Sequence, residues 1–84
     1  MPRYLTQHSL ACLTRQGAEA LGHRMHCGGA ARILVNLAEG RMVAEWRAES
    51  QQALEAWLQS ESLHFDWVLR IESEWKDGRF EAAG

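Results

Sequence analysis

The chain has 84 residues, of which 46% are hydrophobic and 24% are charged, with a formal net charge of -2 and a pI of about 6.0. This length predicts one domain, and the slightly acidic charge argues against the basic surface that nucleic-acid-binding domains use. No apolar run approaches the roughly 18 residues that span a membrane, and the N-terminal residues lack the apolar stretch of a signal peptide. We therefore expect a cytoplasmic protein that binds neither nucleic acid nor membranes.

The first third of the chain has the pattern of a strand followed by a helix. Residues 3–9, "RYLTQHS", alternate as a strand does. Thr14 is placed to cap a helix over residues 14–26, and the pair of glycines at 28–29 is placed to end it. Within this helix, the spacing i, i+3, i+4, i+7 of one buried stripe is occupied by Ala18, Leu21, Gly22 and Met25.

The middle of the chain predicts a hairpin and a second helix. The segments "RILVNLAE" and "RMVAEWRA" meet at Glu39 and Gly40, and glycine supplies the positive φ that such a turn needs. Ser50 is placed to cap the helix "QQALEAWLQS". The segment "FDWVLRI" at 65–71 then alternates as a last strand, and residues 76–84 have the composition of a C-terminal tail.

The element order β-α-β-β-α-β predicts an α+β, ferredoxin-like domain over residues 1–75, with a four-stranded antiparallel sheet and two helices on one face. The strand alternation predicts a helix-facing side made of Leu5, Ile33, Val35, Leu37, Met42, Ala44, Trp46, Phe65, Trp67, Leu69 and Ile71. It predicts an outer side made of Tyr4, Thr6, His8, Leu34, Asn36, Ala38, Val43, Glu45, Arg47, His64, Asp66, Val68 and Arg70. Because that outer side mixes apolar and charged groups, we expect a homodimer that covers it.

The tryptophans and cysteines fit this interpretation. Trp46, Trp57 and Trp67 fall at inward positions and indicate core packing, whereas Trp75 falls at a strand end or at the rim of a dimer. A helix between Cys12 and Cys27 separates them by roughly 20 Å, which is too far for a disulfide. We expect two free thiols.

The segments "MPRYLTQHSL" and "ILVNLAEGRMVAEWRAESQQALEAWL" resemble a family of small bacterial proteins of unknown function, whose first strand begins M-P-(R/K)-(Y/F)-L. The resemblance implies a ferredoxin-like fold and a dimer similar to the dimeric α+β barrels. One relative is described as nickel-binding, which implies metal chemistry. The chain differs from the family pattern at His8, where arginine is typical, and at Leu34, where some relatives carry histidine.

A first candidate site lies at the end of the first predicted helix, in "EALGHRMHCGG". His23, His26 and Cys27 lie within five residues, with Glu19 one turn earlier. Imidazoles at i and i+3 can share a first-row metal, and a thiolate or carboxylate can complete the set, which predicts a nickel or zinc site. The alternative is that these side chains form only the solvent face of the helix, where a histidine near the C-terminus suits the helix dipole.

A second candidate site lies on the predicted outer side of the sheet. An imidazole beside a carboxylate there can serve as a general base or contact a small ligand, and a dimer would partly desolvate such groups. The predicted ligand-binding residues are His8, Asn36, Glu45, His64, Asp66 and Arg70. The alternative is an interface network in which Glu45, Arg47, Asp66 and Arg70 form ion pairs that fix the register of the dimer.

These candidates support three hypotheses for function. The preferred one is a homodimeric binding module for a small molecule or a divalent metal. The second is a cofactor-free enzyme, of isomerase or monooxygenase type, that uses His8 or His64 as acid and base, oriented by Asp66 or Glu45. The third is a structural or regulatory subunit. The sequence contains no glycine-rich phosphate loop and no nucleophile elbow.

Overall fold

The structure, a computed structural model, describes residues 1–11 and 13–83, which form two helices and six strands. In chain order the elements are β1 (Arg3–Ser9), α1 (Arg15–Cys27), β2 (Ala30–Asn36), β3 (Arg41–Arg47), α2 (Gln51–Ser60), β4 (Trp67–Ile71), β5 (Ser73–Lys76) and β6 (Arg79–Ala82). The strands form a four-stranded antiparallel sheet in the order β2-β3-β1-β4 and a separate two-stranded sheet, β5-β6. The predicted ferredoxin-like fold, with six elements and one sheet, is therefore wrong for this chain. Two further strands follow, because the last residues fold back on themselves.

Both helices begin where the sequence predicts. The Thr14 hydroxyl accepts a hydrogen bond from the backbone N–H of Gly17 at 3.0 Å, and the Ser50 hydroxyl accepts one from Ala53 at 3.0 Å. Each cap satisfies a backbone donor that the first helical turn leaves without a partner. The predicted caps are confirmed.

The core lies between the helices and the two central strands, and it includes Met25 of α1, Leu58 of α2 and Trp46 of β3. On β3 the prediction is confirmed, since Met42, Ala44 and Trp46 are all buried. On β1 the predicted facing is wrong. Tyr4, Thr6 and His8, which the sequence places on the outer side, are buried in the core. Leu5, which the sequence places inside, lies on the outer side. The register explains this, because Tyr4, Thr6 and His8 lie opposite the buried side chains Trp46, Ala44 and Met42.

The predicted facing of β4 is wrong for the same reason. Val68 lies opposite Thr6 and packs against the core, while Leu69 lies opposite Leu5 on the outer side of the sheet. Trp67 and Leu69 consequently have exposed fractions of 40% and 53%. Trp67 does not take the core position that the sequence predicts.

The segment predicted as a C-terminal tail contains β6, which pairs with β5 in a hairpin. Asp77 and Gly78, both with positive φ (51° and 86°), form its two-residue turn. Positive φ at both central residues is the geometry that matches the twist of a two-residue hairpin. Glu72 joins this hairpin to β4, and its carbonyl accepts a hydrogen bond from the N–H of Ala83 at 3.0 Å.

The end of α1 is held by a close approach of Trp57 to Gly28. A Cβ atom at Gly28 would lie 2.3 Å from two atoms of the Trp57 ring, so only glycine fits this position. Trp57 also contacts Trp46, with a distance of 5.6 Å between ring centroids. Cys27 is an exposed free thiol, as predicted, and Cys12 lies outside the described residues. In the described part of the chain, neither helix has the length and apolar character needed to cross a membrane.

Candidate functional site

His8, the first of the predicted acid-base residues, belongs to a buried chain of hydrogen bonds. The Trp46 indole N–H donates to the Thr6 hydroxyl at 2.8 Å, and that hydroxyl lies 2.8 Å from His8 Nε2. His8 Nδ1 lies 2.7 Å from the carbonyl oxygen of His64. Because a carbonyl only accepts, Nδ1 carries the proton, and the Thr6 hydroxyl donates to Nε2.

This arrangement holds His8 as a neutral imidazole. Its exposed fraction is 3%, and burial lowers its pKa below the usual value, against the opposing effect of the hydrogen bond to the His64 carbonyl. Both ring nitrogens are occupied, and no buried side-chain nitrogen or oxygen in the described residues lacks a partner. His8 therefore has no free nitrogen for a ligand or for proton transfer, and its role in this structure is to stabilise the core.

His64 and Asp66 lie near His8, and Ser9 joins them at the end of β1. The Ser9 hydroxyl donates to Asp66 Oδ2 at 2.7 Å, and His64 Nε2 lies 3.5 Å from Asp66 Oδ1. The hydrogen bond from Ser9 is the main cause that lowers the pKa of Asp66. The carboxylate thus lies between the hydroxyl and the imidazole. A nucleophilic serine needs the imidazole in the middle, where it can remove the hydroxyl proton.

The other predicted ligand-binding residues lie apart from this cluster. Glu45 is on the outer side of the sheet, where its carboxylate accepts a hydrogen bond from the Arg3 guanidinium at 3.1 Å. Asn36 lies at the end of β2, where its amide bonds Glu39 in the turn to β3. Arg70 lies on β4, opposite Tyr4. The six residues of the predicted set therefore do not form one site.

The histidines of α1 do not assemble into a metal centre. His23, His26 and Cys27 are all exposed, and the Nδ1 atom of His26 lies 3.3 Å from the carbonyl of Ala30. Among residues 1–11 and 13–83, no group of three or more histidine, cysteine, aspartate or glutamate side chains could hold a metal ion. The side chains that the structure describes do not fit the nickel or zinc that the sequence resemblance and helical spacing imply.

A groove lies between α1 and the edge strand β2. Its volume is about 430 Å³, and it is open to solvent. That volume falls within the range of about 300–1,000 Å³ that small-molecule sites occupy. The groove is lined by Arg15, Ala18, Glu19, Gly22, Ile33, Val35, Asn36, Leu37 and Met42.

The lining of this groove has an apolar body and polar groups contributed by α1. Residues 15, 18, 19 and 22 follow the i, i+3, i+4, i+7 spacing of one helix face, which is turned toward β2. Gly22 and Ala18 leave space there, since a Cβ at Gly22 would meet its nearest neighbour, Ile33 Cδ1, at 3.9 Å. Arg15 and Glu19 lie one turn apart and form no ion pair with each other or with another described residue.

Of these groove residues, Asn36 belongs to the predicted ligand-binding set and Glu19 lies beside the predicted metal site. The signal for the rest was present in the helix stripe, where small residues at 18 and 22 stand among larger apolar ones. Small residues on a helix that faces an edge strand leave space between the helix and the strand. The sequence pattern predicts the stripe but not the distance between α1 and β2.

Comparisons with known proteins do not identify the chain: no family model, curated protein or solved structure matches it. The resemblance to the small bacterial family and its nickel-binding relative therefore stays a prediction. The function has to be argued from the groove and the surfaces of this chain alone.

Proposed function

We propose that this protein is a small binding module whose groove between α1 and β2 takes a ligand with an apolar body and a carboxylate at one end. The observation that carries this proposal is the 430 Å³ groove, with Ile33, Val35 and Met42 among its apolar walls and Arg15 on its helical side. An apolar cavity with a small number of polar groups that fix orientation is the usual form of a small-molecule site.

The charged side chains on the helical side of the groove indicate which polar groups the ligand carries. The Arg15 guanidinium presents donors in a planar fork that matches a carboxylate, and it is not neutralised by a described acidic group. Glu19, one turn further along, accepts hydrogen bonds and favours an ammonium or amide group beside the carboxylate. A ligand that carries both groups on an apolar body uses both side chains.

The contacts of the histidines do not favour the enzymatic hypothesis. The His8 ring is saturated with hydrogen bonds in the core, and the Ser9 hydroxyl donates to Asp66 instead of to an imidazole. A divalent metal is not part of the proposal, because the described residues provide no set of three ligands.

The test uses three probes that share a phenyl body: phenylalanine, 3-phenylpropionate and phenethylamine. They carry both charged groups, only the carboxylate and only the ammonium, respectively. Binding is followed by amide chemical shifts in two-dimensional NMR spectra, which also locate the site. We expect phenylalanine to shift the signals of α1 and β2 most, 3-phenylpropionate to shift the same signals, and phenethylamine to shift them least, because the Arg15 guanidinium provides the directed contact. Shifts confined to other elements, or none with any probe at millimolar concentration, would overturn the proposal.

Two substitutions separate loss of the groove from loss of the fold. Gly22→Ala places a methyl group in the groove without a close contact, and alanine is favoured over glycine in a helix by about 0.8–1.0 kcal/mol. We expect this variant to be more stable than the wild type and to bind the probes more weakly. Arg15→Gln keeps a polar side chain with hydrogen-bond donors and removes the charge, so it is expected to abolish the preference for the carboxylate probes.

A further inference from the structure

The C-terminal hairpin has one apolar face and one charged face. Since successive side chains of a strand point to opposite sides, and Trp75 lies opposite Phe80, these two rings share a face with Ser73 and Ala82. The rings meet edge to face, with 5.2 Å between their centroids, yet their exposed fractions are 62% and 68%. The other face carries Glu74, Lys76, Arg79 and Glu81.

The charged face is the one that the hairpin turns toward its own sheet. Arg3, on the outer side of β1, donates to Glu74 of β5 at 3.1 Å and to Glu45 of β3 at 3.1 Å. The hydrogen bonds that Arg3 donates to these two carboxylates raise the pKa of Arg3, with Glu74 as the larger cause. Because Glu74 points at the sheet, Trp75 points away from it. An isolated two-stranded hairpin is marginally stable in water, so this exposed aromatic pair is a surface that a partner would cover.

The outer face of the four-stranded sheet is also apolar and uncovered. Strand register brings two rows across it, and apolar side chains in both are exposed: Leu34 has an exposed fraction of 55% and Leu69 of 53%. The first row is apolar except for Gln7, and the second also contains Arg32 and Glu45. A pit of about 40 Å³ lies in this face and is lined by Leu5, Arg32, Leu34, Val43 and Glu45. The pit is too small for most ligands and suits the tip of one side chain.

Charge distinguishes the two surfaces and indicates what covers them. The outer face of the sheet carries four arginines, of which Arg3 pairs with Glu45 and Glu74, whereas Arg32, Arg41 and Arg47 form no ion pair with a described residue. Its other carboxylate, Asp66, bonds Gln7 and Ser9 at one end of the face. Residues 72–82 carry four acidic side chains, Glu72, Glu74, Asp77 and Glu81, against Lys76 and Arg79. Glu74 pairs with Arg3 of its own sheet and Glu81 pairs with Arg79, so Glu72 and Asp77 are the two acids that form no ion pair with a described residue. One chain therefore presents a basic apolar face and an acidic apolar arm. Two copies related by a two-fold axis can join arm to face twice.

We propose that a second copy of this chain docks on the outer face of the sheet, with the hairpin of each copy lying over the outer face of the other and with Trp75 and Phe80 as the anchors. The sheet face alone, about 23 by 19 Å from strand dimensions, has a flat footprint of about 440 Å². A standard interface removes about 800 Å² of accessible surface per partner, so the hairpin has to contribute. This interface lies on the opposite side of the sheet from the ligand groove, and the two proposals stand or fall separately.

The test is sedimentation velocity of the full chain from 1 to 200 µM, with three variants that exchange one exposed apolar group for threonine. Trp75→Thr removes an anchor from the arm, and Leu69→Thr removes one from the sheet face. Val35→Thr is the matched control, since Val35 is 48% exposed but lines the groove on the other side. Far-UV circular dichroism and urea unfolding show that each variant is folded.

We expect a wild-type dimer whose dissociation constant rises about a hundredfold in Trp75→Thr and in Leu69→Thr, because each change occurs twice in a symmetric interface, and remains unchanged in Val35→Thr. The constant should also rise with added NaCl, because opposite charges join the two surfaces. A wild-type monomer at 200 µM would overturn the proposal. A dimer that Val35→Thr dissociates, or that Trp75→Thr leaves intact, would do so as well, because the copies would then join at another surface.

Discussion

The hydroxyl of Thr6 forms hydrogen bonds with two buried polar groups, the indole of Trp46 and the imidazole of His8. Replacing this hydroxyl by a methyl group tests whether the hydrogen bonds from Trp46 to His8 stabilise the fold. In Thr6→Val the side chain keeps its size and its β-branched shape. The Trp46 indole N–H loses its acceptor at 2.8 Å, and His8 Nε2 loses its donor at 2.8 Å. All three side chains are at most 3% exposed, so water cannot replace the lost partner.

The expected cost follows from these two contacts. A buried donor or acceptor left without a partner costs about 1–3 kcal/mol, so two of them cost about 2–6 kcal/mol. The added methyl returns about 0.8 kcal/mol through burial, which leaves about 1–5 kcal/mol. A domain of this size is stable by roughly 4–13 kcal/mol, and the substitution removes a large part of that.

The assay is urea unfolding at pH 8, where His8 is neutral in both folded and unfolded chains. Thr6→Ser is the matched control, because it keeps the hydroxyl and loses only a methyl group, at a cost of about 1 kcal/mol. We expect the valine variant to be the less stable of the two. If Thr6→Val were as stable as the wild type, or more stable than Thr6→Ser, the hydrogen-bonded chain would contribute nothing and the reasoning would be refuted.

Three further predictions follow from contacts elsewhere in the fold. Because burial lowers the pKa of His8, the unfolded chain binds the proton more tightly than the folded chain. The free energy of unfolding should therefore be highest above pH 6.5 and fall as the pH drops below it. Measured by urea unfolding, the decline between about pH 7 and 5 should be smaller in His8→Gln. Gly28→Ala should lower the free energy of unfolding by about 1–3 kcal/mol, since its Cβ would lie 2.3 Å from the Trp57 ring. Arg3→Gln removes the ion pair to Glu74 and should speed tryptic cleavage of the hairpin. The free energy of unfolding of the core should change by less than about 1 kcal/mol. Equal cleavage rates in the variant and the wild type would show that this pair does not hold the hairpin on the sheet.

The helices and β3 could be predicted from the sequence because their signals are local. A cap needs only one side chain and the next three residues, and Thr14 and Ser50 each have them. The buried alternation of Met42, Ala44 and Trp46 is equally plain, because Ala44 and Trp46 alternate there with Glu45 and Arg47. In such segments the local pattern and the tertiary packing favour the same structure.

The facing of β1 and β4 could not be predicted in the same way, because it depends on hydrogen bonds between distant residues. Leu5 is the most hydrophobic side chain of β1, and it favours the inward position when the strand is considered alone. The structure buries Thr6 and His8 instead, since Trp46 and the carbonyl of His64 satisfy their polar atoms. Burial of a polar side chain costs little when its partners are present, and those partners lie up to 56 residues away.

The C-terminal hairpin, by contrast, had a local signal. Asp-Gly between short alternating segments is the strongest indication of a two-residue turn, and Asp77 and Gly78 form that turn. The charged residues around it have the composition of a solvated tail. Composition alone does not predict that Trp75 pairs with Phe80; this pairing follows from the position of the turn.

The candidate site depends on a distance that no sequence pattern contains. Titratable residues attract attention in a sequence because their chemistry is recognisable. In this fold, however, His8, Glu45 and Asp66 each form a hydrogen bond with another side chain of the protein. The groove passes Gly22, where the absence of a side chain leaves room for a methyl group in front of Ile33. A side chain that is already paired within the protein has few hydrogen bonds left for a ligand. The groove, in contrast, has free volume beside Arg15, which forms no ion pair with a described residue. In this small domain, the proposed ligand and partner surfaces are therefore the places where groups are left unsatisfied or apolar side chains uncovered, and not the places where reactive residues lie.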